Sequence, residues 1–283
     1  MCRLRLESKL NRLKSENKKA LITYITAGDP DLNTTIEVIK TMEEAGVDVV
    51  EIGIPYSDPL ADGPTIQEAS NRALKSGTNI NGIFSMIGQV RPQIRIPLVI
   101  MTYINPILQF GVERFCEEAA KVGVDGLIIP DLPFEEKSLI EEFVRKYDLA
   151  LVPLLAPTTP RERIKTLCEK AQGFVYCVSL TGVTGVTSKT ADNIKEFLNN
   201  TKEFSPVPVA VGFGISTPEQ AKNLSIQADG IIIGSAIINL LQQKGTASSG
   251  LAALREYLRE VKEAMQPVEV EEVLGDEAIQ TSG

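Results

Sequence analysis

Glu51 sits inside Val49-Val50-Glu51-Ile52-Gly53-Ile54, a run that is otherwise wholly apolar. A carboxylate in such surroundings is costly unless it is paired or keeps its proton. Desolvation would raise its pKa and suit it to proton transfer near neutral pH. A buried glutamate satisfied by a backbone or hydroxyl partner is the structural alternative. Asp62 closes the next loop, Pro55-Tyr56-Ser57-Asp58-Pro59-Leu60-Ala61-Asp62, just ahead of Gly63-Pro64, which opens a helical pattern. Asp before such a start is an ordinary capping choice, so its residue type alone leaves cap and catalytic carboxylate both open. Asp58 has the same ambiguity as a turn former, and Asp131, at the end of a later apolar run, reads as a helix cap or a support.

The rest of the inventory narrows the chemistry. The chain has no histidine, which removes the commonest general base and the commonest metal ligand together. No metal site is expected. None of the apolar runs carries Lys or Arg, so a Schiff-base lysine is not expected either; Lys189, in a glycine-rich loop, is the one weak exception. Carboxylates, hydroxyls, tyrosines and backbone N–H groups remain. Three glycine clusters supply the last of these: Thr181-Gly182-Val183-Thr184-Gly185, Gly212-Phe213-Gly214-Ile215-Ser216 and Gly234-Ser235. Glycines let N–H groups approach an anion, and a helix beginning at Ser235 would aim its positive end at one. Any single glycine could equally be a tight turn. The loop Leu180–Thr190 could close over a substrate or be an ordinary exposed loop. Tyr24, Tyr103 and Tyr176, in or at the ends of apolar runs, read on their own as core.

Eight short runs rich in Val, Ile and Leu carry these residues: Leu21–Thr26, Val47–Ile54, Pro97–Tyr103, Gly126–Pro130, Leu149–Leu155, Phe174–Ser179, Val207–Val211 and Gly230–Gly234. They lack strict alternation, as strands covered on both faces do. Helical patterns such as Thr34–Glu44, Val112–Lys121, Glu136–Arg145 and Pro218–Leu224 separate them. Repeated strand–helix alternation predicts a parallel sheet, and eight units predict closure into one (β/α)8 TIM barrel, with an open doubly wound sheet as the competitor. The barrel domain is expected over 1–266. Leu6, Leu10 and Leu13 predict an extra amphipathic helix at the N-terminus. Gly46-Val47-Asp48, Gly123-Val124-Asp125 and Gln227-Ala228-Asp229 each precede a strand, which places these aspartates at the face that serves stability. Residues 267–283 carry Glu269, Glu271, Glu272, Asp276 and Glu277 with no Lys or Arg and read as a mobile acidic tail.

The net charge of −8 argues against a nucleic-acid partner. No apolar run reaches the roughly 18 residues that suggest a membrane span. The cysteines Cys2, Cys116, Cys168 and Cys177 follow no metal or disulfide spacing, which suits a reducing compartment, the cytoplasm or a plastid stroma.

Four stretches, Ile25-Thr26-Ala27-Gly28-Asp29-Pro30, Val50 to Pro64, Gly182-Val183-Thr184-Gly185 and Gly212 to Ser216, resemble tryptophan synthase alpha chains, and the resemblance runs in order from about Leu21 to Met265. The Glu51–Pro64 stretch is its most specific part. The resemblance implies a lyase that splits indole-3-glycerol phosphate into indole and D-glyceraldehyde 3-phosphate. It assigns proton transfer to Glu51 and the carboxylate facing the indole nitrogen to Asp62. It implies an active-site tyrosine at Tyr176 and a lid threonine at Thr184 that meets Asp62. Phosphate would lie on Gly185, Gly214, Gly234 and Ser235, and indole against Tyr24, Met101, Ile128 and Leu155. Leu180 departs from members that carry arginine there. No cofactor is implied on this chain; pyridoxal phosphate is implied on a beta-chain partner, in a complex of two alpha and two beta chains. The loop Pro55–Leu60 and the segment Asn105-Pro106-Ile107-Leu108, read as exposed apolar loops, would face that partner, with Pro55, Asp58, Asn105 and Pro106 as the candidate contacts. The alternatives are a free-standing indole-glycerol-phosphate lyase and a catalytically silent phosphate-binding regulator.

Overall fold

The computed structural model describes residues 3–178, 188–212 and 214–266. The strands among them are β1 Ala20–Thr26, β2 Val49–Gly53, β3 Leu98–Met101, β4 Gly126–Ile128, β5 Ala150–Leu151, β6 Leu154–Leu155, β7 Val175–Val178, β8 Val209–Gly212 and β9 Gly230–Ile233. The α-helices are α1 Arg3–Ser15, α2 Leu32–Glu44, α3 Pro64–Lys75, α4 Ile80–Val90, α5 Ile104–Phe110, α6 Val112–Lys121, α7 Ser138–Lys146, α8 Arg161–Cys168, α9 Ser188–Phe204, α10 Pro218–Ser225, α11 Ser235–Lys244 and α12 Ser248–Ala264. Every strand pair is parallel, in the order β5-β4-β3-β2-β1-β9-β8-β7-β6. The two ends of that order, β5 and β6, are halves of one stretch of chain interrupted at Val152-Pro153. Proline cannot donate a ladder hydrogen bond. The ladder nonetheless continues, because the Val152 N–H donates to Leu127 O and the Tyr176 N–H to Pro153 O, both at close to 3 Å. The sheet therefore returns to its starting strand, giving eight staves and the expected closed barrel.

Alternation along the staves sets two cores. Leu21, Ile25, Val50, Ile52, Ile100 and Val175 point outward into the layer between sheet and helices. Ala20, Ile22, Val49, Val99, Ile128, Ala150, Phe174, Ala210 and Ile232 point inward and pack against Leu6, Leu10 and Leu13 of α1. The N-terminal helix thus plugs the bottom of the barrel, as its leucine spacing predicts. Helix starts follow local chemistry: Asp31 accepts from Thr34 N–H at 2.9 Å to cap α2, and Thr217 with Gln220 forms a capping box on α10.

The three repeated aspartates tie neighbouring staves together at that bottom face. Asp48, Asp125 and Asp229 accept the N–H groups of Leu21, Leu98 and Val209 at 2.8–2.9 Å, and their own N–H groups return to the carbonyls of those residues. Cations complete each site: Lys9 and Lys262 on Asp48, Arg5 on Asp125, Lys202 on Asp229.

Two sequence expectations need correction. The segment Asn105–Leu108 is not a loop but most of α5, with Pro106 and Ile107 buried and Asn105 and Leu108 exposed. Pro106 falls in the first turn, where its missing N–H costs little. Pro55 is also buried, so neither proline is available to a partner; Ser57, Asp58 and Leu60 are the exposed residues of that loop. No described helix is long and apolar enough to cross a membrane. The acidic stretch at 267–283 and the loop residues Leu180–Thr187 lie outside the described residues.

Candidate active site

Glu51 occupies the middle of β2, two residues beyond the inward-facing Val49, so the strand's period of two aims it into the barrel. It has no exposed surface, and neither carboxylate oxygen has a hydrogen-bond partner among the described residues. The backbone or hydroxyl partner that a structural glutamate would require is not found among the described residues. Burial alone pushes its pKa up to about 8. Its neighbours are phenols. The hydroxyls of Tyr24 and Tyr176 are held protonated first by burial, and the nearby charges of Glu51 and Asp62 reinforce this.

The top of the barrel is shaped around those tyrosines. A side chain on Gly53 would collide with the Tyr24 hydroxyl, and one on Gly234 would lie 3.2 Å from Tyr24 Cβ. Glycine at 234 is therefore fixed by packing as well as by any ligand. Tyr24, Met101, Leu155, Tyr176, Asp62, Gly214, Gly234 and Ser235 all line one cavity of about 1440 Å³ at the C-terminal mouth. Ile128 does not line it; it is fully buried in the interior cluster against which Met101 and Tyr176 pack.

Asp62 is not the cap of α3. That position belongs to Gly63, which makes no side-chain cap hydrogen bond, and Pro64 starts the helix. The Asp62 carboxylate is half-buried, and desolvation raises its pKa to about 6 against the opposing pull of a hydrogen bond from Tyr103. Tyr103 is the functional neighbour that sequence reasoning assigned to core. Its ring is buried and its hydroxyl accepts the Ala61 N–H at 2.9 Å. Its ring lies 5.3 Å from that of Tyr56, whose hydroxyl accepts from Asn105 at 3.0 Å. Asp131 serves as the support expected of it, accepting the Ile104 N–H of α5 at 2.8 Å. Asp58 is exposed and accepts from the Ser57 hydroxyl.

Gly214, Gly234 and Ser235 converge on one side of the mouth. Gly214 has φ +62°, and nothing lies within 4 Å of where its Cβ would be. Ser235 begins α11, whose first N–H groups have no intrahelical acceptor. The neighbouring α10 offers no such site, since Gln220 takes the Ser216 N–H at 2.9 Å and Thr217 takes Gln220 N–H. Thr184 and Gly185 lie outside the described residues. Lys189 falls in the first turn of α9.

A closed parallel barrel with two perturbed carboxylates at its C-terminal mouth, beside an open helix N-terminus, defines a (β/α)8 enzyme for a small anionic substrate. Comparisons with known proteins narrow this. The family model for "Tryptophan synthase alpha chain" matches residues 10–266. A tryptophan synthase alpha chain of Thermoanaerobacter sp. (strain X514) is 48% identical over 261 residues, covering 92% of this chain and 99% of the relative. One of Arabidopsis thaliana is 46% identical over 255 residues, covering 90% and 93%. Among solved structures, tryptophan synthase subunit alpha from Legionella pneumophila str. Paris superposes with TM-score 0.84 at 36% identity, covering 92% of this chain and 98% of that one. The chain belongs to the tryptophan synthase alpha chain family, and is accordingly a lyase acting on indole-3-glycerol phosphate in tryptophan biosynthesis.

Proposed function

We propose that Glu51 and Asp62 divide the cleavage between them. Protonated Glu51 gives its proton to C3 of the indole ring, which places a positive charge on the ring nitrogen, where the Asp62 carboxylate stabilises it. The Glu51 carboxylate so formed takes the proton from the hydroxyl on the carbon bonded to C3 and is restored to its starting state. That carbon becomes the aldehyde of D-glyceraldehyde 3-phosphate, and the electrons of the broken C–C bond return to the ring and restore neutral indole. The net change is one proton moved from oxygen to carbon, so no redox partner enters. Because the Glu51 carboxyl has no exposed surface, a rotation of its side chain toward the cavity accompanies substrate binding. The observation that carries the reading is this buried carboxylate without a hydrogen-bond partner, whose raised pKa lets it accept and release a proton near neutrality.

The phosphate lies on the N–H groups around Gly214, Gly234 and the start of α11, with Gly185 contributing from beyond the described residues. Tyr24, Met101, Leu155 and Tyr176 enclose the indole; Ile128 supports them from the buried cluster behind. Thr184, which lies outside the described residues, is the threonine that would meet Asp62.

The chain works with a beta chain that carries pyridoxal phosphate, as two alpha and two beta chains. The names "alpha chain" and "subunit alpha" of its relatives support this. The docking face is the exposed part of the loop at Ser57, Asp58 and Leu60 together with Asn105 and Leu108 of α5, which Tyr56 joins. The experiment is turnover of indole-3-glycerol phosphate by the purified chain with and without a beta chain. Indole release stimulated by the beta chain is expected; equal release in both cases would make the chain a free-standing lyase.

A further inference from the structure

We propose that the acidic end of this chain, residues 267–283, docks in the groove between α7 and α8, with Asp276 and Glu277 on Arg145 and Lys170 and with Leu274 and Ile279 on the apolar lining. So placed, it closes a side arm of the substrate cavity. The proposal does not depend on the roles given to Glu51 and Asp62.

The cavity of about 1440 Å³ is larger than the roughly 300–1,000 Å³ usual for a small-molecule site. Besides the mouth, it takes in a groove between α7 and α8, over the stave interrupted at Val152-Pro153. Both helices are short, Ser138–Lys146 and Arg161–Cys168, and Leu151 and Leu167 between them are only half-buried. With Val144 they form the groove's apolar lining. Arg145, in the last turn of α7, and Lys170, just beyond α8, line the same cavity and are exposed. Neither has an ion-pair partner among the described residues, whereas the nearby Lys146 and Arg163 have Glu113 and Glu135. Glu141, a carboxylate on the lining, is already held by Lys137. The groove is thus apolar along its length and positive at its lower end.

Charge, position and length point to the chain's own end as the occupant. That end carries Glu269, Glu271, Glu272, Asp276 and Glu277 with no Lys or Arg, and Val268, Val270, Val273, Leu274 and Ile279 lie among them. It begins beyond the family match, which stops at Gln266. Gln266 is fixed at the bottom face, where its side chain accepts the Lys19 N–H at 3.1 Å. The lower end of the groove lies at the opposite end of α1. There the Arg3 N–H donates to Asp148 O at 2.9 Å, just after α7, and Leu6 lies against Gly173, shortly after Lys170. Because α1 has 13 residues, the span from Lys19 to the groove is about 20 Å. An extended chain covers that in about six or seven residues, which leaves about ten, from near Leu274 onward, for the groove. Arg12 and Lys14, exposed on α1, flank the route of Glu269, Glu271 and Glu272. Single exposed ion pairs are weak. A tether of this kind, however, supplies its own segment at an effective concentration on the order of millimolar, so modest contacts suffice.

The test uses the full chain with the photoreactive residue p-benzoylphenylalanine incorporated at position 279. Unlabelled and 15N-labelled chains are mixed, irradiated and digested, and the crosslinked peptides are read by mass spectrometry. The expected product joins position 279 to peptides of α7, β5 or α8 within one isotopic label. Arg145→Glu with Lys170→Glu should lower its yield at least ~10-fold, and adding Asp276→Lys with Glu277→Lys should restore most of it. Mixed-label products would make a second copy of the chain the occupant and overturn the proposal. Crosslinks confined to α1 or spread over the surface overturn it as well, as does a yield unmoved by the charge reversal. If the Arg145 and Lys170 variant does not fold, Asp276→Lys with Glu277→Lys alone decides, since it alters no described residue. Loss of the groove product is then expected, and its persistence overturns the proposal.

Discussion

Asp48 and Glu51 stand three residues apart at the start and middle of one stave, and both are buried. Their surroundings are opposite. At the bottom of the barrel Asp48 receives the Leu21 N–H, Lys9 and Lys262, and the same arrangement recurs at Asp125 and Asp229. At the catalytic end Glu51 has no hydrogen-bond partner among the described residues, and Asp62 has no ion-pair partner among them. A satisfied buried carboxylate holds elements together. One left without a hydrogen-bond partner costs stability, and such a cost persists where function needs the group. The difference teaches where to look for chemistry: burial alone selects both ends of the barrel, whereas a buried carboxylate with neither a hydrogen bond nor an ion pair is found, among the described residues, at Glu51.

Substitutions at the two ends should therefore separate activity from stability. The largest effect is expected for Glu51→Gln, which keeps the shape but cannot accept a proton; indole release should fall at least ~10²-fold. The same variant should be more stable than the unmodified chain. The folded pKa of about 8 lies above the ordinary glutamate value of 4.5, so the folded state keeps a proton that the unfolded chain gives up. Stability due to this group is full below pH ~4.5 and declines as pH rises toward 8. Its loss at pH 7 is on the order of 3 kcal/mol at most. Thermal midpoints of the two proteins should nearly coincide at pH 5 and diverge at pH 8; coincidence at both would mean Glu51 has a partner in solution. Asp62→Asn should follow, with turnover reduced roughly tenfold or more and stability lowered by no more than ~1 kcal/mol, since no cap is lost. Turnover and thermal midpoint measured together decide that case. Gly214→Val should weaken glycerol 3-phosphate binding by more than ~10-fold, because the side chain strains a positive φ and enters the open space at the mouth; calorimetry of the folded variant checks it. The smallest effect on catalysis belongs to the bottom face. Asp125→Ala removes the acceptor of Leu98 N–H and leaves Arg5 without its carboxylate. It should cost ~2–3 kcal/mol of stability with kcat unchanged. A loss of kcat there would erase the distinction between the two ends.

Much of this division was legible in the sequence, for physical reasons that differ between residues. Glu51 was visible because a charge in an apolar run violates a strong rule, and Asp48, Asp125 and Asp229 because they repeat at one place in the strand–helix unit. The (β/α)8 fold followed from eight similar runs at an even pitch. Asp62 was not decidable from its residue type, since the Gly63-Pro64 boundary permits either cap or site; only the backbone shows that Gly63 occupies the cap. Tyr103 was missed because a tyrosine closing a buried strand reads as core, and its hydroxyl's partner, the Ala61 N–H, lies 42 positions away in the chain, where only the folded loop brings it. The exposed-loop reading of Asn105–Leu108 failed because turn formers beside apolar residues also suit a first helical turn, where a proline is compatible with α5. Gly234 carried two signals at once, a close approach by Tyr24 and the start of α11, and sequence separates neither from the other.

The most direct measurement is single-turnover cleavage of indole-3-glycerol phosphate by the unmodified chain and by Glu51→Gln, following indole and glyceraldehyde 3-phosphate together. The account predicts equal amounts of the two products from the unmodified chain. It predicts almost none from a folded Glu51→Gln chain that still binds glycerol 3-phosphate. Indole release by the variant at the unmodified rate would contradict the assignment of proton transfer to Glu51.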